Sequence, residues 1–121
     1  MLPLEGVRVV EFAHMVMGPA CGLVLADLGA EVIKVEPLEG DNTRRLVGAG
    51  AGFYAIFNRN KKSLALDLKR PEGKEIVLKL ADSADVLGTR EPVTAAEVEK
   101  YYRSDADLLA LYLRLRRGDR F

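Results

Sequence analysis

The feature that most restricts this chain is a helical run enclosed between two β-branched runs. Val7 to Phe12 reads VRVVEF, with Pro3 and Gly6 ahead of it, the pattern of a strand buried on both faces. Val32 to Val35 is a second run of the same kind. Between them Ala20, Leu23, Val24 and Leu28 keep helical spacing. Pro19 suits a first helical turn, where an amide proton would lack a partner anyway, and Gly29 suits the stop. Strand, helix and strand within about thirty residues make a βαβ unit, whose helical crossover leaves the two strands parallel.

The alternation continues. Residues 37–52 read as a Gly-rich loop charged at Glu39, Asp41, Arg44 and Arg45, and 53–57 as a short helical turn. KKSLALDL gives a third strand in which Leu64, Leu66 and Leu68 alternate. Pro71 and Glu72 open a helix through Ile76, Val77, Leu80 and Ala81, and 85–87 is a short fourth strand. This order predicts an α/β layered sheet over 1–87. Residues 88–121 differ. GTREPV is a break, and Thr94 with Glu97 forms a capping box for a helix over 94–102. A second helix starts at Ser104 or Asp105, with acids first and arginines last, as the helix dipole favours. Its face of Leu108, Leu111, Tyr112 and Leu115, widened by Leu109 and Leu113, calls for more cover than a peripheral helix receives. The sheet face left bare by missing helices, or a second copy in a homo-oligomer, would supply it.

Composition narrows the function classes. Eighteen basic and eighteen acidic residues cancel, so no electrostatic case exists for nucleic acid or for an anionic membrane. No apolar run approaches the roughly 20 residues that span a bilayer, and the N-terminus lacks a signal-peptide pattern. The single cysteine, Cys21, excludes an internal disulfide framework and fits a reducing cytoplasm. It reads as a small core residue of the helix. His14 has no second histidine and no cysteine cluster beside it, so no metal site is expected.

Ligands of open parallel sheets bind beyond the carboxyl ends of the strands. Three segments meet there: AHMVMGPA, EPLEGDNTRR and LDLKRPEG. Gly18-Pro19 is either an anion-docking helix start or a tight turn, without the G-x-G-x-x-G fingerprint. Arg59, Lys61 and Lys62 are either phosphate ligands or a solvated edge. Glu39 and Asp41 are either a carboxylate pair or parts of a turn.

Two blocks carry more than spacing. LPLEGVRVVEFAHMVMGPACGLVLADLGAEVIKVEPLEGD and NRNKKSLALDLKRPEGKEIVLKLADSADVL resemble the N-terminal part of the family III CoA-transferases, from Leu4 to Leu87. That family also holds formyl-CoA transferase, carnitine CoA-transferase and α-methylacyl-CoA racemase. The resemblance implies a Rossmann-like parallel sheet, here incomplete at about four strands, in enzymes that form interlocked dimers and act on coenzyme A thioesters without a metal. The loop matching Val16 and Met17 would approach the CoA. Pro37 stands where an arginine often contacts the nucleotide, a contact that proline cannot make. The strand matching Ala65, Leu66, Asp67, Leu68 and Lys69 would lie along the adenine and phosphates, mainly through its backbone. Lys61 or Lys69 would add charge.

Past ADVL the family continues with an Asn-Phe-x-Pro-Gly-like segment, whereas this chain reads GTREPVTAAEVEKYY. The transferases then use an aspartate that attacks the acyl-CoA to form a mixed anhydride, and the racemases a histidine and an aspartate. His14, Asp105, Asp107 and Asp119 match neither pattern, so no catalytic residue is assigned. The chain is expected to be a truncated CoA-transferase, inactive alone. The alternatives are a CoA-binding or assembly module, and one half of a split enzyme whose partner chain supplies the aspartate.

Overall fold

The computed structural model describes residues 1–88, within the first of two compact units, Met1–Glu91. The helices expected over 94–102 and from Ser104, with their cap and leucine face, lie outside the described residues.

The elements follow the expected alternation: β1 (Arg8–Glu11), α1 (Met17–Asp27), β2 (Glu31–Glu36), α2 (Phe53–Phe57), β3 (Lys62–Ala65), α3 (Pro71–Asp82) and β4 (Val86–Gly88). The four strands form one parallel sheet in the order β3-β2-β1-β4. The chain walks outward from β1 to β3 and then returns to the other side of β1. This is the start of the Rossmann order, and it puts a topological switch point between β1 and β4. Val9 pairs with Val32 on one side and Val86 on the other, which explains the apolar Val9-Val10 centre of the first run.

Helix α1 packs against β1 and β2 through a face of small residues. Pro19, Gly22 and Ala26 are buried, and Ala26 joins Val9, Ala30 and Val32 in a core flanked by Leu4, Val7 and Leu25. The helix stops as the glycine predicted. Gly29 takes φ +104°, its amide donates to Ala26 O, and the Ala30 amide donates to Leu25 O, both at 3.0 Å. These two bonds make a Schellman cap, which delivers the chain directly into β2. Cys21 corrects the sequence reading: it is exposed. It lies one step around the helix from Gly22, off the face that meets the sheet.

The third strand is shorter than its leucine alternation suggested. Pairing with β2 ends at Ala65 opposite Glu36, followed by one further bond from the Leu66 amide to Glu36 O at 2.9 Å. Among the described residues β3 is an edge strand whose one neighbour, β2, gives out at Pro37, which ends the ladder. Asp67 then makes a turn, accepting from the Lys69 amide at its side chain (2.9 Å) and from the Arg70 amide at its carbonyl (3.2 Å). Leu66 to Lys69 are therefore turn residues leading into Pro71 at the head of α3.

The approach of α1 to β1 tolerates no side chain at Gly22. A Cβ there would stand 2.2 Å from Glu11 Oε1 and 3.1 Å from Lys61 Nζ. Alanine normally stabilises a helix interior by roughly 0.5–1 kcal/mol over glycine. We expect Gly22→Ala to do the reverse, costing about 1–3 kcal/mol in urea unfolding. A stabilised variant would contradict this packing.

Candidate functional site

The carboxyl ends of β1 and β2 are polar but closed to water. Lys34 lies between Ile33 and Val35 in β2 with its side chain only 1% exposed. Its Nζ donates to Ala13 O at 2.6 Å and stands 3.0 Å from Asp41 Oδ2 and 3.6 Å from Glu11 Oε2. Glu11 is shared. Lys61, its side chain 2% exposed, donates to both Glu11 oxygens at 3.0 Å, and also to Pro19 O (2.7 Å) and Asn58 Oδ1 (3.2 Å). Burial pulls the Lys61 ammonium pKa down, against the opposing pull of the Glu11 carboxylate. Asp41 Oδ2 is within ionic reach of Lys34 but makes no aligned hydrogen bond.

Glu36, at the end of β2, is the second centre. Arg44 grips it with Nε and Nη2 at 2.9 and 2.8 Å, the Asp41 amide donates at 2.9 Å, and Ser63 Oγ and Tyr54 OH bond the same carboxylate. The Arg44 guanidinium lies 3.8 Å over the Tyr54 ring. Burial on its own would raise the Glu36 pKa, but the bonds from Arg44, Ser63 and the Asp41 amide outweigh it and hold the group at about 2. Tyr54 moves the other way, pushed up to about 12 by burial and by the neighbouring Glu36 charge. Burial opposes ionisation of Asp41 too, and is overcome by the Thr43 amide and by Lys34, so its carboxyl also sits low. Thr43 is buried, its amide held by Asp41 Oδ1 at 2.8 Å and its Oγ1 accepting from the Met15 amide at 3.0 Å.

The family model for CoA-transferase family III matches residues 4–115. The chain belongs to that family. The match runs past Leu87, where the resemblance read from the sequence stopped. Similar proteins include human succinyl-CoA:glutarate CoA-transferase, 46% identical over 89 residues that cover 69% of this chain and 20% of that protein. Another is (R)-2-hydroxy-4-methylpentanoate CoA-transferase of Clostridioides difficile, 40% identical over 102 residues, or 78% and 26% of the two chains. Among solved structures, a CAIB/BAIF family protein from Brucella suis superposes with a TM-score of 0.72 at 37% identity, over 91% of this chain and 31% of that one. A hypothetical protein from Mycobacterium tuberculosis gives 0.68 at 45%, over 72% and 25%. The chain thus spans about a fifth to a quarter of the length of the curated relatives it matches.

The residues singled out by sequence fall into two groups. Pro37, Ala65 and Leu66 come together because parallel register sets Ala65 beside Glu36 and bonds Leu66 to its carbonyl. Pro37 is exposed at the head of a turn closed by the Gly40 amide on Pro37 O at 2.8 Å. Val16 caps α1 and Met17 begins it, exposed, on the loop that follows β1. Asp67 is committed to its turn, Leu68 is half-buried and Lys69 is exposed. Lys61 is buried and paired with Glu11. Its neighbours are paired too, Arg59 with Asp27 (2.6 Å) and Lys62 with Glu31 (2.5 Å). Asp41 serves a turn, as one of its two readings held, and it does not face Glu39 as a carboxylate pair; Glu39 is exposed. Among the described residues no three of His, Cys, Asp and Glu are grouped to hold a metal, and no helix is long and apolar enough to cross a membrane.

Sequence reasoning missed Glu11 and Lys34, and held Glu36 and Thr43 only as members of the EPLEGDNTRR segment. A signal existed for the first two: a charge inside VVEF and another inside VIKV, at points where parallel strands bury both faces.

The Glu36 pKa gives a pH signature. A carboxyl held near 2 rather than the ordinary 4.5 adds stability in full above about pH 5 and loses it as pH falls towards 2. Thermal melts from pH 7 to pH 2.5 should fall less steeply for Glu36→Gln than for the wild type. Parallel curves would contradict the assignment.

Proposed function

We propose that this chain forms the nucleotide-facing part of a CoA-thioester site in an enzyme that moves CoA between carboxylic acids. The observation that carries the reading is the family match, joined to a parallel sheet whose carboxyl edge gathers the loop after β1 and the turn after β3. Val16 and Met17 approach the CoA from the β1 side. The backbone of Ala65, Leu66, Asp67, Leu68 and Lys69 receives the adenine and phosphates, with the exposed Lys69 as the cation for the latter. Pro37 lines this edge without donating a bond.

The transfer itself runs through a covalent carboxylate. A carboxylate attacks the thioester carbonyl, the C–S bond breaks, and CoA leaves as a thiolate while a mixed anhydride forms. None of Glu11, Glu36 and Asp41 supplies that nucleophile: each is buried and held by cations or amides. In this reading the attacking aspartate is none of these three and is supplied elsewhere in the complete enzyme. A second copy or another chain is favoured by exposed apolar groups such as Val24 and Ile76. The cytoplasm is the setting that suits a CoA ester and a single exposed cysteine.

Calorimetry with free CoA, beside a transfer assay with an acyl-CoA and an acceptor acid, tests this reading. We expect weak binding, on the order of millimolar or tighter, and no turnover by the chain alone. Absence of heat at millimolar CoA would overturn the binding reading. Turnover near or above about one per second would overturn the missing nucleophile.

A further inference from the structure

We infer that Thr43 is a positioning residue that sets the ligand-facing loop after β1 by fixing the backbone of Met15; this rests on the CoA-site reading above. Met15 is not glycine, yet it takes φ +67°. A side chain is disfavoured in that left-handed region, so the conformation persists only where its surroundings impose it. What imposes it is visible. Lys34 Nζ holds Ala13 O two residues earlier at 2.6 Å, and Thr43 Oγ1 accepts the Met15 amide at 3.0 Å. Two residues later the chain enters α1 at Met17.

Thr43 is itself fixed. It is 1% exposed although it belongs to a short 3-10 turn, Asn42–Arg45, in the middle of a long loop. Asp41 Oδ1 holds the Thr43 amide, and Glu36 Oε1 holds the Asp41 amide. A chain of hydrogen bonds therefore runs from the end of β2 through Asp41 and Thr43 to Met15. Its effect is to lock the β1 loop to the β2 loop, so that Val16 and Met17 are presented in one arrangement. The Met15 side chain, 42% exposed, is free of this task. The backbone geometry is what Thr43 holds.

The test uses the full chain, with amide hydrogen exchange at Met15 as one readout and CoA calorimetry as the other. In the wild type the Met15 amide should be protected; exchange at the rate of a free loop amide overturns the inference without any variant. Thr43→Val keeps the shape and removes the acceptor. It should abolish Met15 protection and weaken CoA binding about tenfold, the worth of one hydrogen bond. Thr43→Ser should restore both. Adding Met15→Gly to Thr43→Val should leave protection lost but recover part of the affinity, since glycine adopts this φ freely. Unchanged CoA affinity in Thr43→Val with Met15 unprotected would overturn the positioning role. If the wild type protects Met15 but binds no CoA, the strut is real and the CoA reading fails, and the positioning role falls with it.

Discussion

A lysine ammonium with no access to water governs this fold. An isolated buried charge is prohibitive, so Lys34 exists here only because Glu11, Asp41 and the Ala13 carbonyl surround it. Those three groups belong to the end of β1, the loop after β2 and the loop after β1. Satisfying one cation thus fixes the relation of two strands and two loops. Lys61 brings in a fifth element, because it also donates to Pro19 O in the first turn of α1. With Arg44 on Glu36, the buried carboxylates Glu11, Glu36 and Asp41 each have a cation beside them.

The packing of α1 follows from the same constraint. For Pro19 O to reach Lys61 the helix must lie almost on β1, and its inner face is accordingly Gly18, Pro19, Gly22 and Ala26. A Cβ on Gly18 would meet Ala13 Cβ at 2.2 Å, in the segment that Lys34 holds by its carbonyl. The core is therefore modest, valines against alanines and glycines, and the polar ends of the strands complete it. The strand tips expected to meet a nucleotide directly are filled by the protein's own side chains. The ligand site proposed above therefore uses the rim: the Met15–Met17 loop, the Pro37 turn and the Leu66–Lys69 turn.

Much of the fold was legible. Valine runs, the Pro19 and Gly29 punctuation and the Pro71 helix start each obey local rules, and each stands where those rules put it. β3 was misjudged because its leucines alternate beyond the point where β2 stops, and strand length depends on the neighbour as well as on the strand. Cys21 was misjudged because a helix rich in Gly and Ala gives little sign of which face is inward. The site was less legible. Lys61 reads as a surface cation beside Lys62, and only the fold reveals that Glu11, fifty residues earlier, turns it inward. Thr43 looks like any loop threonine until the Met15 backbone is seen. Membership of CoA-transferase family III came from long blocks of sequence, and the ionic core beneath the site came from the coordinates.

The account rests on Lys34 being a buried and partnered charge. Chemical denaturation of Lys34→Met beside Lys62→Met measures this directly. Lys62 pairs with Glu31 in solvent, and its loss should cost less than about 1 kcal/mol. Loss of Lys34 leaves Asp41 buried without a cation and Glu11 with Lys61 alone, and should cost about 3–5 kcal/mol. A Lys34→Met protein as stable as the Lys62→Met protein would contradict the account.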